Sequence, residues 1–136
     1  MTIAHRLHRL WRDTRGIAAV EFAFVAPLMV LFVIAIMEMG RLFLIHNAMT
    51  FAADEAARTA MVRKTITKTE LEALTRSYAA ALEPERTTVN VTITTYDDGW
   101  RTNISVQYQF RLMVSVLGLG QFNMVRSAKV NRRDSF

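Results

Sequence analysis

The sequence contains no cysteine and has only two prolines and five glycines among its 136 residues. Without cysteine, the chain can form no disulfide framework, no thiolate metal site and no thiol nucleophile. The G-x-S-x-G and H-E-x-x-H motifs and the glycine loops that bind phosphate are also missing. His5 and His8 are spaced as a metal pair, but no carboxylate or cysteine ligand accompanies them. We therefore predict that the protein is not an enzyme and holds no metal and no cofactor.

Acidic residues are nearly absent from the first sixteen positions, where Asp13 alone stands against four arginines and leaves a charge of +3. The rest of the chain has 13 basic and 11 acidic residues, a charge of only +2. The four arginines are Arg6, Arg9, Arg12 and Arg15. A short basic patch directly before an apolar segment is a topology signal. We therefore predict no nucleic-acid partner.

Charge is also missing from residues 17–37, where Glu21 is the single charged side chain. As an α-helix this segment would be about 31 Å long, close to the ~30 Å hydrocarbon core of a bilayer. A buried helix of a soluble core would show a polar face, and a secretory signal would be shorter and end at a small-residue cleavage site. The pattern thus predicts a transmembrane helix. The positive-inside rule places its N-terminus in the cytoplasm and the C-terminal residues outside.

The helical pattern continues beyond the span, through residues 38–64, which we predict to be an extracytoplasmic extension of the helix. One face of this extension is rich in alanine, at Ala48, Ala52, Ala56 and Ala60. Small side chains allow close packing, either against the chain's own domain or against another helical element. We name these four alanines as helix-packing residues.

Residues 65–136 are predicted to form an α+β head. A second helix is expected at 69–83, because Thr69 and Glu72 form a T-x-x-E capping box and Pro84 would end it. Strands are expected from the alternation around Val89–Ile93, from a longer alternation from Ile104 to Val116, and from residues 122–130. Asp97, Asp98 and Gly99 form a turn signal between the first two. The fold class is therefore α+β, with a long helix, a second helix and a three-stranded antiparallel sheet.

Glu21 is costly inside a membrane, and acidic residues in spans are functional candidates by default. Near the start of a helix, the carboxylate can extend to the lipid headgroups. Alternatively, its charge is neutralised by a positively charged partner. The residues of the span alone leave both readings open.

The stretch "RGIAAVEFAF" (residues 15–24) resembles the class III signal of type IV pilins and pseudopilins. A basic leader ends at Gly16, an apolar helix begins at once, and Glu21 and Phe22 follow at its fifth and sixth positions. Residues 47–61, "NAMTFAADEAARTAM", are similar to a segment of TadE-like minor pilins of the tight adherence (Tad) pilus. The strand "ISVQYQFRLMVSVLG" and the ending "FNMVRSAKV" also resemble that family, so the resemblance extends over essentially the whole chain.

The resemblance implies that a prepilin peptidase cuts between Gly16 and Ile17 and that the apolar helix stays in the bacterial inner membrane. Glu21 would then meet the new N-terminal amine of a neighbouring subunit, with Phe22 beside it in the processing and assembly segment. The implied partners are other major and minor pilins, the Tad assembly platform and inner-membrane lipid. The protein would join, prime or tip the pilus, with its head in the periplasm or outside the cell. The alternative is a single-span envelope scaffold that keeps its leader.

Overall fold

The computed structural model describes residues 15–63, 65–97, 99–113 and 120–133. Within these ranges, two α-helices come first, α1 (Arg15–Val62) and α2 (Lys68–Tyr78), and a 3-10 helix follows at Pro84–Arg86. Three strands come after them: β1 (Thr87–Tyr96), β2 (Gly99–Arg111) and β3 (Gln121–Arg133). They form one antiparallel sheet in the order β1-β2-β3. The predicted α+β architecture is confirmed. Three of the leader arginines, Arg6, Arg9 and Arg12, lie outside the described residues.

The chain divides into two compact units, Met1–Met37 and Glu38–Phe136. In the first unit, α1 is apolar on all sides, and most of its large side chains are exposed, from 50% for Val25 to 78% for Phe24. A helix that is apolar all round needs lipid or other helices around it. By length and composition, α1 can cross a membrane. The boundaries predicted at residues 16, 37 and 64 stay predictions.

In the second unit, residues 38–62 of α1 pack on the sheet through one face of mostly small side chains. The buried residues of this face recur every three or four positions, as one side of a helix requires. They are Met49, Ala52, Ala53, Ala56, Ala57 and Ala60. Met49 and the first two alanines contact Val106, Tyr108 and Phe110 of β2, and the other three alanines belong to a second cluster with Leu71, Val91 and Ile104. The small side chains of α1 leave room for the larger residues of β2, which fill the core.

Helix α2 begins one residue earlier and ends five residues earlier than predicted. Its N-cap is Thr67, whose hydroxyl accepts a hydrogen bond from the Glu70 backbone N–H at 3.2 Å. The capping box predicted at Thr69 was therefore wrong, because T-x-x-E occurs twice in succession and the first copy caps the helix. The helix ends at Tyr78, and a turn follows that buries Leu82 in the core. Pro84 starts the 3-10 helix instead of ending α2.

The β1–β2 hairpin has a two-residue connection, because Tyr96 pairs with Gly99. Gly99 has a φ of 145°, a conformation that side chains with a Cβ rarely adopt, which explains the glycine at this position. Strand β2 ends at Arg111, so the prediction that it continues through Leu112 was wrong. Its pairing with β3 stops at Gln121, and the Leu112 N–H donates to the Gly120 carbonyl at 3.3 Å. Val114 and Val116, which were predicted to extend the strand, lie outside the described residues.

Candidate functional site

Gly16 lies in the first turn of α1, followed by Ile17. A Cβ placed on Gly16 would meet no atom within 4 Å, and the residue does not have a positive φ. Glycine inside a helix costs roughly 0.5–1 kcal/mol relative to alanine. The fold of the chain therefore gains nothing from glycine at position 16. A requirement for glycine here would have to come from a molecule that acts on the chain.

Glu21 lies four residues after Ile17, so the two residues share one face of α1. Its side chain is exposed and makes no hydrogen bond or salt bridge with any of the described residues. An ionised carboxylate without a partner is strongly penalised in hydrocarbon. If this segment lies in a membrane, Glu21 needs a headgroup or a cation as its partner. Removal of residues 1–16 would create such a cation, the α-amine of Ile17, one helical turn away.

Phe22 is 68% exposed and lies next to Glu21 on the apolar part of α1. Most large side chains of residues 17–37 are exposed as well, so the ring is part of an apolar surface that is long enough to cross a membrane. The segment thus presents a carboxylate and an aromatic ring to molecules outside the chain.

The four alanines named from the sequence pack in the core of the chain's own second unit. Ala52, Ala56 and Ala60 are fully buried between α1 and the sheet, and Ala48 is half-buried against the same core. The opposite face of α1 exposes Phe43, Leu44 and Phe51, which sequence reasoning left out. Phe51 lies edge-on to Tyr78, with ring centroids 6.4 Å apart.

A partly buried ion pair on α1 is connected to the segment that follows β2. Glu38 is 9% exposed, and its carboxylate accepts one hydrogen bond from the Arg41 guanidinium at 2.8 Å and another from the Met113 backbone N–H. The Arg41 guanidinium in turn lies over the Phe110 ring, 5.2 Å from its centroid. This cluster joins residues 75 positions apart in the sequence. It fixes the start of the second unit's helix against the sheet.

Sequence reasoning missed this cluster, although part of its signal was present. Glu38 and Arg41 have the i,i+3 spacing of a helical ion pair, directly after the apolar segment. The third partner is a backbone N–H beyond the end of β2, and no sequence pattern identifies it. Only the folded register of β2 brings Met113 to the Glu38 carboxylate.

Two surface pockets adjoin the turn that follows α2. One is lined by Arg76, Leu82 and Thr87 among others, and the second by Arg41, Glu83 and Tyr108. Neither set places a nucleophile beside a general base. Within the described ranges, no group of three His, Asp or Glu side chains is arranged to hold a metal ion.

A family model for TadE-like proteins matches residues 16–58. The matched segment is about a third of the chain, and it contains Gly16, Glu21, the Glu38–Arg41 pair and most of the alanine-rich face. The resemblance to TadE-like proteins is thereby confirmed, and it supports an association with the Tad pilus. The match does not reach the strands, so the predicted likeness of the C-terminal region stays a prediction. No curated protein and no solved structure matches the chain.

Proposed function

From this match to the TadE-like family, we propose that the chain is a minor pilin or pseudopilin of a Tad-type pilus. Its apolar helix anchors it in the bacterial inner membrane, with the N-terminus in the cytoplasm and the head on the periplasmic or extracellular side. The observation that carries the proposal is the start of α1. There, an unhindered glycine precedes the exposed apolar residues 17–37, whose one carboxylate, Glu21, has no partner among the described residues.

Processing is the first step of the proposed function. A prepilin peptidase cleaves the bond between Gly16 and Ile17 and releases the basic leader with its arginines, among them Arg15 at the start of α1. The open surroundings of Gly16 support this role, because the fold itself does not need glycine there. A small residue at this position leaves the backbone of the first turn accessible to a protease. The apolar helix stays attached to the head.

Assembly is the second step. The new amine of Ile17 and the Glu21 carboxylate of a neighbouring subunit form an ion pair in a dry environment, which sets the axial register between helices. Two unit charges 4 Å apart attract by about 4 kcal/mol at an effective dielectric constant of 20. An unpaired carboxylate at the same depth would be penalised, so the pair favours a single register. Phe22 and its apolar neighbours pack around it.

The partners that follow from this proposal are the prepilin peptidase, other major and minor pilins, the Tad assembly platform and inner-membrane lipid. The head contributes to assembly, priming or tip formation during surface adherence. We further propose that the protein has no enzymatic activity of its own. The Glu38 cluster would keep the head in a defined position on its own segment of α1 while the subunit assembles.

The experiment that tests the proposal compares two glycines of α1. A Cβ on Gly16 or on Gly40 would meet nothing within 4 Å and both residues are exposed, so we expect the fold to accept a leucine at either position. We expect Gly16→Leu to block trimming of the leader in cells with an active peptidase, and Gly40→Leu to leave trimming unchanged. The readout is the size of the chain in isolated membranes. Equal trimming of both variants would contradict a cleavage that depends on Gly16, and a chain that keeps its leader even without substitution would favour the uncleaved scaffold.

A further inference from the structure

Charge is segregated within the second unit. The three strands contain six basic residues and no acidic residue; the basic residues are Arg101, Arg111, Arg126, Lys129, Arg132 and Arg133. In the described part of the chain, all acidic side chains lie on the helices and the connecting segments. The small positive charge of the chain beyond its leader is therefore concentrated on the sheet. Total charge alone conceals this asymmetry.

The register divides the sheet into a core face and a second face turned away from α1, here called the outer face. Among the residues whose side chains the structure describes, three of the cations belong to the outer face: Arg101 pairs with Asn131, Lys129 with Asn103 and Arg111 with Gln121. The described side chains of the outer face are Thr88, Asn90, Thr92, Thr94 and Tyr96 on β1, Arg101, Asn103, Ser105, Gln107, Gln109 and Arg111 on β2, and Gln121, Asn123, Val125, Ser127, Lys129 and Asn131 on β3. None of these side chains is acidic.

One end of the outer face holds a preorganised cation. Arg101 Nε donates to Asn131 Oδ1 at 2.8 Å, and the guanidinium lies 5.2 Å from the centroid of the Tyr96 ring. Lys129 lies diagonally across the β2–β3 pair, because it precedes Asn131 by two residues. These two contacts restrict the position of the guanidinium on the outer face. Its terminal nitrogens remain available for bidentate hydrogen bonds to a carboxylate.

Between the cations, the outer face presents almost entirely hydroxyl and amide groups. Serine and threonine hydroxyls donate and accept hydrogen bonds, and asparagine and glutamine amides do both at once. These groups complement the hydroxyls of sugars. An antiparallel sheet commonly has one solvated polar face, but such a face normally mixes both signs of charge. The absence of carboxylates on this one selects for an anionic ligand.

The spacing of the cations identifies the kind of polyanion. Arg101 and Arg111 are ten residues apart on β2, or about 34 Å. Three cations over that length are far too few for a DNA duplex, which carries one charge per ~1.7 Å. Single-stranded nucleic acid would need several stacking rings, and the outer face has only Tyr96. A chain of sugars with at most one carboxylate per sugar fits both the charge density and the hydroxyl-rich surface.

We propose that the outer face binds an acidic polysaccharide, with Arg101, Lys129 and Arg111 pairing with carboxylates and the amide and hydroxyl side chains binding sugar hydroxyls. This inference deepens the proposed function, because such a ligand reaches the head only outside the membrane. It names what the head contributes to surface adherence.

The test measures binding of the full-length chain, in non-ionic detergent, to immobilised polygalacturonate at low ionic strength. Neutral dextran serves as the control ligand. Two triple variants are compared. The first is Arg101→Gln with Arg111→Gln and Lys129→Gln. The second removes two arginines and one lysine from the helices instead: Arg58→Gln, Lys68→Gln and Arg76→Gln. Both retain the same leader and the same net charge, and circular dichroism melting establishes that each is folded.

We expect polygalacturonate to bind and dextran not to bind. Each outer-face cation should contribute about fivefold in affinity, the value typical of a basic side chain near an anionic surface, so the first triple variant should bind about a hundredfold more weakly. The helix variant should lose less than about fivefold. Lys129→Glu provides a single change that leaves the Arg101 contacts in place, and it should weaken binding by more than Lys129→Gln does.

Three results would overturn the inference: equal losses in the two triple variants, tighter binding to duplex DNA than to polygalacturonate, or tighter binding to phosphatidylglycerol vesicles. The outcome is separable from that of the processing experiment. A chain that is not trimmed yet binds polygalacturonate through these residues would contradict the proposed function alone. A trimmed chain without such binding would contradict this inference alone.

Discussion

Glu38 offers a quantitative test of how the second unit is held together. Its carboxylate is almost fully buried and has two hydrogen-bond donors, the Arg41 guanidinium and the Met113 N–H. Truncation to alanine would leave both donors without this acceptor and remove one half of an ion pair. Breaking a fully buried pair costs about 3–5 kcal/mol. Because the Arg41 side chain is 34% exposed, water can solvate it after truncation, and we expect about 2–3 kcal/mol for Glu38→Ala.

A matched control lies on the same helix. Glu55 and Arg58 have the same residue types and the same i,i+3 spacing, but their side chains are 36% and 77% exposed and their charged atoms are 3.8 Å apart. Exposed pairs contribute about 0.2–1 kcal/mol, so Glu55→Ala should cost less than about 1 kcal/mol. Glu38→Gln should fall between the two alanine variants. Its amide oxygen still accepts one hydrogen bond, but it carries no charge.

The assay is denaturant-induced unfolding of the chain in non-ionic detergent. The chain has two tryptophans, so a Trp11→Phe background leaves Trp100 of β2 as the only indole emitter. The difference in midpoint, multiplied by the slope, gives the change in free energy of unfolding. A double-mutant cycle with Arg41→Ala should show a coupling of at least about 1 kcal/mol. The reasoning is refuted if Glu38→Ala costs no more than Glu55→Ala.

Two further predictions concern the helix α1. Ala56 has no exposed surface and lies among Leu71, Val91 and Ile104, so Ala56→Leu should destabilise the head by about 1–3 kcal/mol through overpacking. Thermal melting measures the loss, and Ala73→Leu on the exposed side of α2 is the control, which should leave the stability nearly unchanged. Glu21→Gln keeps the size of the side chain but removes the charge proposed to pair with the Ile17 amine. It should leave membrane insertion intact and reduce the amount of assembled pili in sheared fractions by more than tenfold. Normal piliation would instead favour the interpretation that Glu21 extends to the lipid headgroups.

The sequence patterns predicted the elements of the fold well where a long periodicity existed. The alanine spacing of α1 and the alternation of β2 each extend over many residues, and each specifies one buried face. The predicted ends of the helices and strands were less accurate, because the ends depend on partners elsewhere in the chain. Thr67 and Thr69 both begin a T-x-x-E box, and the alternation of β2 continues in sequence beyond Arg111, where pairing with β3 ends.

Some features of the candidate site could be predicted from the sequence, and others depend on contacts that only the fold creates. Gly16 and Glu21 stand out from sequence because each is an exception within its segment. The structure adds that position 16 is sterically open and that Glu21 has no partner among the described residues. The Glu38–Met113 contact and the acid-free outer face could not be predicted, because both depend on strand register. A shift of β3 by one residue would turn Lys129 to the core side.

The central claim, that the chain is a processed pilin-like subunit, is tested most directly by the intact mass of the protein from native membranes with and without an active prepilin peptidase. We predict that the chain begins at Ile17 when the peptidase is active and at Met1 when it is absent. A chain that retains Met1 in the presence of the active peptidase would contradict the account and leave the uncleaved scaffold as the better description.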